Sequence, residues 1–284
     1  MDYFSFAFQI SFMKNQKPKI AILGAGNIGL SLAKGLVQAG KYKAKEIAIT
    51  RRNKSHFGEI SKLGFTVSDK NPSAVASSEL IIIAVLPQQL NNLLDEIKPA
   101  VDPKKHVLIS VVSGVTSKDF STRLGKQVEV VRAMPNTAIA IQQSMTCIAS
   151  SSASKENMSL VKNIFDTVGS TIEIHEELMT SATALNACGI AFFLRAIRAA
   201  SQGGVEIGFH AEDALRMAAQ TAKGAASLLL ENNSHPENEI DKVTSPKGCT
   251  IAGLNEMEHE GFSSSLIKGI KTAQQKAGIL YPKD

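Results

Sequence analysis

Tryptophan is absent from this chain, and aromatic residues of all kinds make up only 5% of the sequence. Proteins that hold single-stranded nucleic acid use exposed aromatic rings on which the bases stack. The composition therefore argues against a nucleic-acid partner. The formal net charge of +5 is spread along the chain, which is consistent with a solvated basic surface that also attracts anionic small molecules.

Cysteine is also scarce, with three residues, Cys147, Cys188 and Cys249, and no Cys-x-x-Cys spacing. Structural zinc sites need paired ligands at short spacing, so no metal site is expected. The histidines are scattered as well and form no paired spacing. A sparse and odd cysteine count is typical of a reducing compartment, which predicts a cytoplasmic protein.

Long apolar runs are missing too. No stretch of 18 or more consecutive apolar residues occurs, so neither a membrane-spanning helix nor a membrane partner is expected. Residues 1–12 are apolar, but Asp2 stands where a signal peptide carries positive charge, and no small-residue cleavage site follows. Because Met13 resembles the natural start of a cytosolic enzyme, residues 1–12 are predicted to be either a loose extension or the product of an upstream start site. Residues 14–17 are polar and are predicted to be a short lead-in, so the N-terminal extension as a whole is residues 1–17.

Strands and helices are predicted to alternate through residues 18–175. Apolar runs predict strands at 19–23, 46–50, 65–67, 80–85, 107–111, 128–133, 144–149 and 171–174. Helical spacing of apolar residues predicts helices near 28–40, 55–62, 89–98, 117–124 and 154–167. This order predicts one α/β domain with a mainly parallel sheet that is covered on both faces.

The pattern changes after residue 175, where no further strand is needed. Helices are predicted near 177–207, 211–231, 248–260 and 262–277, with a loop at 232–237. Residues 176–284 are therefore predicted to form an all-α dimerisation domain. Since so small a helical unit rarely buries its apolar faces alone, a homodimer, or a larger homo-oligomer built from dimers, is expected.

A glycine-rich segment connects the first predicted strand to the first predicted helix. Gly24, Gly26 and Gly29 form a Gly-x-Gly-x-x-Gly pattern. The first glycine allows a tight turn, the second lets the backbone approach a pyrophosphate, and the third allows close helix–strand packing. The free N–H groups at the helix start, around Asn27 and Ile28, then face the phosphates. The pattern predicts that the α/β domain is a Rossmann-type dinucleotide-binding domain.

The end of the second predicted strand indicates which dinucleotide binds. NAD enzymes place an Asp or Glu there for the ribose 2′-hydroxyl, whereas this chain has Arg51, Arg52 and Asn53. Guanidinium groups hold a phosphate with paired hydrogen bonds. The sequence therefore predicts NADP (NADPH) as the cofactor, with NAD as the less favoured alternative.

Three further segments stand out, two at predicted strand ends and one before a predicted helix. They are Ala84–Gln88 (AVLPQ), Val131–Thr137 (VRAMPNT) and Val243–Leu254 (VTSPKGCTIAGL). Together with the glycine pattern, they resemble the pyrroline-5-carboxylate reductase family from about residue 18 to about residue 280. The resemblance implies NADPH-dependent reduction of a small cyclic imine that bears a carboxylate, 1-pyrroline-5-carboxylate, to L-proline, the last step of proline biosynthesis.

The resemblance also implies which residues act on the substrate. An imine nitrogen accepts a proton far more readily than a carbonyl oxygen, so no strong side-chain acid is required, and the Val243–Leu254 segment contains none. The Thr250 hydroxyl is expected beside the imine nitrogen as the catalytic group. Backbone N–H groups of Gly248, Cys249 and Thr250 are expected to hold the substrate carboxylate at a helix start. Ser245 either caps that helix or touches the substrate.

Further cofactor contacts are expected at the carboxyl ends of the strands, where open α/β sheets bind ligands. The residues expected there are Val85, Pro87, Ser110, Gly114, Met134, Pro135 and Asn136. Of these, Asn136 is expected to orient the nicotinamide or its ribose. Pro87 and Pro135 can also be interpreted more simply, as residues that end their strands.

The sequence departs from the family at three places. Ala184–Phe192 (ALNACGIAF) stands where the family has ALSGSGPAY, and Asn186 in it is expected at the substrate site. Leu86 replaces a lysine near the cofactor, and Lys247 replaces a glycine beside the carboxylate site. The changed hydroxyl pattern leaves open whether the substrate is the proline precursor or a related imine, such as its six-membered ring homologue.

Two other functions remain open. A β-hydroxyacid dehydrogenase has the same overall plan but needs a lysine in the first long helix, and residues 177–207 contain Arg195 and Arg198 but no lysine. A catalytically altered NADP-binding sensor or scaffold would explain the altered 186–192 segment. Such a protein would have no use for the substrate segment Thr244–Thr250.

Overall fold

The computed structural model describes residues 19–281, so the predicted N-terminal extension lies outside the described residues. These residues form two compact units, the first made of residues 19–187 and 276–281 and the second of residues 188–275. The first unit is built on a sheet and the second on helices. The predicted fold class, a Rossmann-type α/β unit followed by helices, is confirmed.

The described part of the first unit contains an eight-stranded sheet with the order β3-β2-β1-β4-β5-β6-β7-β8. Its strands are β1 (Ile20–Leu23), β2 (Ile47–Thr50), β3 (Thr66–Ser68), β4 (Leu80–Ile83), β5 (Val107–Ser110), β6 (Glu129–Met134), β7 (Ser144–Ala149) and β8 (Gly169–Glu173). Neighbouring strands are parallel except β6 and β7, which are antiparallel. The order reverses between β1 and β4, and ligands bind at such a reversal in open α/β sheets.

Helices cover both faces of the sheet. They are α1 (Asn27–Gln38), α2 (Phe57–Lys62), α3 (Asn71–Ala76), α4 (Pro87–Ile97), α5 (Ser117–Leu124) and α6 (Lys155–Phe165). Successive side chains of β1 enter different cores: Ile20 and Ile22 pack in a cluster with α1 and α6, whereas Ala21 and Leu23 pack in a cluster with α4 and α5. Burial on both faces explains why β1 and β4 have continuous apolar sequences and why β5 is apolar up to its last residue, Ser110.

Local signals explain where the helices begin and end. Thr116 and Asp119 form a reciprocal capping box at the start of α5, and Gly125 ends that helix with a φ of 62°. By contrast, α3 was not predicted. It has six residues, of which only Ala74 and Val75 are buried, so it shows no helical periodicity in the sequence.

The second unit continues from the first along one helical run. The short helix α7 (Met179–Ala182) passes through a π-helical turn, Thr183–Cys188, into α8 (Gly189–Glu206). The remaining helices are α9 (Ala211–Asn232), α10 (Pro236–Lys242), α11 (Cys249–His259) and α12 (Phe262–Ala277). Among the described residues no strand follows Glu173, as predicted. The predicted loop at 232–237 gives way at Pro236 to the helix α10, which was not predicted.

Large apolar side chains are exposed on the helices of the second unit taken by itself. They include Phe193, Leu194, Leu215, Met217, Leu228 and Leu230. The stretch Glu176–Glu206 is also long and apolar enough to cross a bilayer, and 28% of its most apolar window is buried. One such helix is weak evidence for a membrane span, because helices that pack inside water-soluble proteins or their interfaces pass the same test.

A buried histidine predicts a pH dependence of stability. His106 is 3% exposed, and its Nδ1 accepts a hydrogen bond of 2.9 Å from the Asp102 N–H. Burial, helped by Lys105, lowers the pKa of His106 below its usual 6.5. The unfolded chain therefore binds the proton more readily, so stability is complete above about pH 6.5 and falls as the pH decreases below it.

We expect the free energy of unfolding of the wild type to fall more steeply between about pH 7.5 and about pH 5.5 than that of His106→Asn, which keeps a hydrogen-bond acceptor but does not titrate. Denaturant titrations of both proteins at several pH values measure this difference. Parallel pH profiles of the two proteins would contradict the prediction.

Candidate functional site

Three glycines shape the turn between β1 and α1. Gly24 has a φ of +109°, and a Cβ there would lie 2.5 Å from the carbonyl oxygen of Ala84. A Cβ at Gly29 would overlap the carbonyl oxygen of Gly24. At Gly26, however, φ is −80° and a Cβ would meet no atom within 4 Å. The protein itself thus requires glycine at positions 24 and 29, whereas only a bound molecule would require it at 26.

The start of α1 can receive an anion. Gly26 is the N-cap residue and supplies no side-chain hydrogen bond. The N–H groups of the first turn, beginning at Asn27 and Ile28, therefore have no side-chain cap, and they carry the positive end of the helix dipole. This is the usual backbone geometry of a pyrophosphate site.

A cavity of about 670 Å³ opens at the carboxyl ends of β1, β2, β4 and β5. Among the residues predicted to bind the cofactor, those that line it are Gly24, Gly26, Asn27, Ile28, Arg51, Arg52, Asn53, Val85 and Pro87. Its volume is within the usual range for small-molecule and cofactor sites. The room beside Gly26, the uncapped helix and the cavity together fit a dinucleotide phosphate.

The residues after β2 have different roles. Nη1 of the half-buried Arg51 donates a hydrogen bond of 2.9 Å to the carbonyl oxygen of Ala25, so this side chain also holds the glycine turn. Arg52 is exposed and has no hydrogen-bond or ion-pair partner among the described residues. The side chain of Asn53 accepts a bond of 2.9 Å from the Ser55 N–H and thus caps a short 3₁₀ turn. Arg52 is therefore the guanidinium that is free to bind a phosphate.

A polar chain that the sequence did not reveal lines the same end of the cavity. The Thr50 hydroxyl donates a hydrogen bond of 2.6 Å to Asn71 Oδ1, and Asn71 Nδ2 donates one of 2.9 Å to Glu96 Oε2. Asn71 opens the unpredicted helix α3, and Glu96 lies on α4. These residues could bind the hydroxyl groups of a ribose. Their only sequence signal is an Asn-Pro pair at a helix start.

The residues after β5 divide between the cavity and the protein interior. Val111, Val112 and Ser113 line the cavity. Ser110, predicted to line it, is 1% exposed, and its Oγ accepts a bond of 3.3 Å from the Val112 N–H. Gly114 also does not line the cavity, because with a φ of +80° it packs beside the carbonyl oxygen of Ala277. Three residues between the two predicted ones therefore form this wall.

The predicted residues after β6 are held inside the first unit and do not line this cavity. Met134 and Pro135 are buried, and the Ser113 hydroxyl points at the Met134 sulfur at 4.0 Å. The Asn136 side chain accepts a bond of 3.1 Å from the Ala138 N–H and donates one of 2.9 Å to Asn186 Oδ1. The structure thus joins Asn136 and Asn186, which the sequence assigned to different ligands.

The arginine of the Val131–Thr137 segment has a structural role. Arg132 is 4% exposed, and its Nη1 lies 3.5 Å from Glu176 Oε1. The same oxygen accepts bonds from the Ser117 N–H and hydroxyl at 2.7 and 2.9 Å. Burial opposes the charged form of Glu176, but bonds from Ser151 and Ser117 together with Arg132 hold its pKa below the usual value.

The predicted substrate residues of the second unit surround the start of α11. Gly248 is the N-cap residue, and no side chain caps the helix, so Ser245 does not make the predicted capping bond. The carbonyl oxygen of Ser245 instead accepts a bond of 2.9 Å from the Gly248 N–H. Lys247 has a left-handed φ of 58°. Cys249 is exposed and Thr250 is half-buried. Because no side chain caps α11, its first-turn N–H groups lie uncapped next to Thr250 in the chain.

Comparisons with known proteins match two regions of the chain to different family models. Residues 176–280 match the family model described as pyrroline-5-carboxylate reductase dimerisation. Residues 19–114 match the one described as NADP oxidoreductase, coenzyme F420-dependent. A solved structure of Plasmodium falciparum pyrroline carboxylate reductase with NADP bound has a TM-score of 0.86 at 24% identity, and the match covers 94% of this chain and 99% of that one.

Two curated relatives from Dictyostelium discoideum are more similar in sequence. Pyrroline-5-carboxylate reductase 1 is 53% identical over 281 residues, which cover 95% of this chain and 51% of the relative, so the chain spans about half of that protein. Pyrroline-5-carboxylate reductase 2 is 48% identical over 281 residues, which cover 93% of each protein. With this identity over nearly the full length of the second relative, the chain belongs to the pyrroline-5-carboxylate reductase family.

Proposed function

We propose that this protein reduces 1-pyrroline-5-carboxylate to L-proline with NADPH, the last step of proline biosynthesis. Family membership supports the reaction. The observation that carries the proposal is the cavity at the strand-order reversal, where Gly26 leaves room beside an uncapped helix start and Arg52 has no partner within residues 19–281. NADPH, when bound, supplies the hydride for the imine carbon.

The residues of the first unit bind and orient that cofactor. The first-turn N–H groups of α1 bind the pyrophosphate, and Arg52 binds the 2′-phosphate through charge-assisted hydrogen bonds. Arg51 holds the glycine turn through Ala25 and adds positive charge to the same end. A cofactor without the 2′-phosphate gains nothing from Arg52, which supports NADP over NAD.

The residues of the second unit bind the imine. The N–H groups of Cys249 and Thr250 hold its carboxylate at the start of α11, where the helix dipole favours negative charge. The Gly248 N–H, which was also expected to do so, is instead bonded to the Ser245 carbonyl oxygen. The Thr250 hydroxyl donates a hydrogen bond to the imine nitrogen and passes its proton along this bond as the C=N bond is reduced, and solvent then returns a proton to the hydroxyl oxygen. Lys247 lies in the same turn with a left-handed backbone, and its ammonium group adds attraction for the carboxylate.

Thr250→Val is expected to lower kcat for the imine about 10- to 100-fold, because the variant keeps the shape of the side chain but loses the hydroxyl. Thr250→Ser should keep most of the activity. NADPH oxidation with purified protein and 1-pyrroline-5-carboxylate measures both. The matched control is Thr122→Val, at an exposed threonine of α5 that does not line the cavity, which should match the wild type.

Parallel assays distinguish the other functions. NADH in place of NADPH tests the cofactor, and the six-membered ring homologue tests for a related imine reductase. Preference for the homologue would assign the enzyme a sister activity. If NADPH binds and neither imine is reduced, the reductase proposal fails and the sensor or scaffold function replaces it. A β-hydroxyacid dehydrogenase would instead oxidise a hydroxyacid with NADP.

The assembly and the compartment are part of the same proposal. The exposed apolar side chains of the second unit, in a region that matches a dimerisation family model, support a homodimer, or a larger oligomer built from dimers, formed through the helices. Cys147, Cys188 and Cys249 are free thiols. Unpaired thiols suit a reducing compartment, which supports the cytoplasm.

A further inference from the structure

The amide of Asn186 is engaged on both sides within the first unit. Its Nδ2 donates hydrogen bonds to the carbonyl oxygens of Met134, at 2.5 Å, and Met145, at 2.8 Å. Its Oδ1 accepts a bond of 2.9 Å from Asn136 Nδ2. Both donor hydrogens and one lone pair of the side chain are thus used, so little of it is left for a ligand.

These bonds lie where the backbone pairing of two strands stops. The antiparallel ladder of β6 and β7 ends at the pair Met134–Cys147, and Pro135, which follows, has no N–H to donate. The Asn186 amide bridges one carbonyl from each strand at this end. It lies in the π-helical turn Thr183–Cys188, and such turns within α-helices are frequent at functional sites.

The hydrogen bonds of the Asn186 amide connect it to two elements next to the cofactor cavity, through Met134 and through Asn136. Through Met134 it contacts Ser113, which lines the cavity. Through Asn136 it holds the 3₁₀ turn Thr137–Ile141, because the Asn136 side chain caps this turn at the Ala138 N–H. This turn packs on α1 closely, because a Cβ at Gly35 would lie 2.7 Å from the carbonyl oxygen of Ile139. The helix that begins at the glycine turn thus rests on the turn that Asn136 caps.

We propose that Asn186 is a positioning residue: its amide fixes the end of β6 and the turn after it, and thereby holds the nicotinamide end of the cofactor cavity in shape. This inference rests on the proposed function, because it assigns the hydride-donating end of the cofactor to that wall. The dinucleotide extends from Arg52 at the end of β2 across the strand-order reversal, so its other end lies towards β5 and β6. Asn186 acts through Met134 and Asn136 and does not bind the substrate.

Asn186→Leu keeps the size of the side chain and removes all three hydrogen bonds. We expect kcat for the imine to fall about 10- to 100-fold, with the KM for NADPH within about threefold of the wild type, because the pyrophosphate and 2′-phosphate contacts are unchanged. The matched control is Asn157→Leu. The amide of Asn157 also bonds inside the first unit, to Glu129 at 2.7 Å, but on α6. Asn157→Leu should keep the kcat of the wild type.

A gentler variant covers the case in which Asn186→Leu does not fold. Asn136→Ser keeps an uncharged oxygen that can cap the 3₁₀ turn and loses the donor to Asn186. Its kcat should fall less than that of Asn186→Leu, and the double variant should lie within about threefold of Asn186→Leu, because the two side chains act as one unit. Additive losses in the double variant would overturn the proposal.

Hydrogen–deuterium exchange separates this proposal from the proposed function, since it needs no turnover. NADPH should slow exchange in residues 136–143 of the wild type and of Asn157→Leu, and this protection should be lost in Asn186→Leu. If Asn186→Leu keeps the protection, the positioning role is overturned whatever the turnover. If the wild type reduces no imine but the protection follows this pattern, the proposed function fails and the positioning of the cofactor wall stands.

Discussion

Gly26→Ala is expected to fold normally and to bind NADPH about 10- to 100-fold more weakly, since a misplaced methyl group in a packed site costs about 1–3 kcal/mol. The added Cβ meets no protein atom within 4 Å, and the backbone φ of −80° suits alanine. Only the cofactor would meet the methyl group. Fluorescence titration with NADPH and a thermal melt measure the two effects.

Two other glycines provide the controls for this result. A Cβ at Gly58 in α2 would also meet no atom within 4 Å, but Gly58 does not line the cavity. Gly58→Ala should therefore leave both the affinity for NADPH and the stability nearly unchanged. At Gly24 the Cβ would strike the Ala84 backbone, so Gly24→Ala should lower the free energy of unfolding by more than about 2 kcal/mol. Undiminished NADPH binding by Gly26→Ala would mean that the cavity is not the dinucleotide site.

Arg52→Ala is expected to raise the KM for NADPH about 10- to 100-fold and to leave the KM for NADH unchanged, because a hydrogen bond to a charged group is worth about 1.5–3 kcal/mol. Arg51→Ala should weaken both cofactors, since Arg51 also holds the glycine turn through Ala25. Steady-state kinetics with each cofactor distinguish the two variants.

The control for the arginine variants is Arg123→Ala. Arg123 forms an exposed ion pair with Asp95 at 2.6 Å and does not line the cavity, so its loss should change neither KM measurably. Equal weakening of NADPH and NADH by Arg52→Ala would show that this guanidinium does not read the 2′-phosphate, and it would transfer that role to Arg51.

The parts of the fold that could be predicted are those whose own sequence carries the pattern. Strands β1 and β4 are buried on both faces, so each is an unbroken apolar run in the sequence. Helices α3 and α10 were missed because they are short and bury little. Their helical state depends on a proline near the first position and on neighbours that are distant in sequence.

The site follows the same rule. The glycine turn and the arginines could be found because a strand, a turn and a helix are consecutive in the chain. The chain of bonds from Thr50 through Asn71 to Glu96 joins three elements, and the bond between Asn136 and Asn186 spans 50 residues. No local pattern encodes such pairings. For the same reason Ser110 and Gly114 were assigned to the cavity although the three residues between them line it.

The last described residues pack in the first unit, although the helix that leads to them begins in the second. The Tyr281 hydroxyl donates a bond of 2.6 Å to Asn91 on α4, and its ring packs on the core cluster that α4 and α5 share. In connectivity, the helical unit is therefore an insertion within the nucleotide-binding unit. A chain cut after Ala187 would be an incomplete nucleotide-binding domain, and a premature stop codon just before Tyr281 would damage the core assembled from the N-terminal half. Evolution could exchange the helical unit between relatives only by two crossovers, one on each side of it.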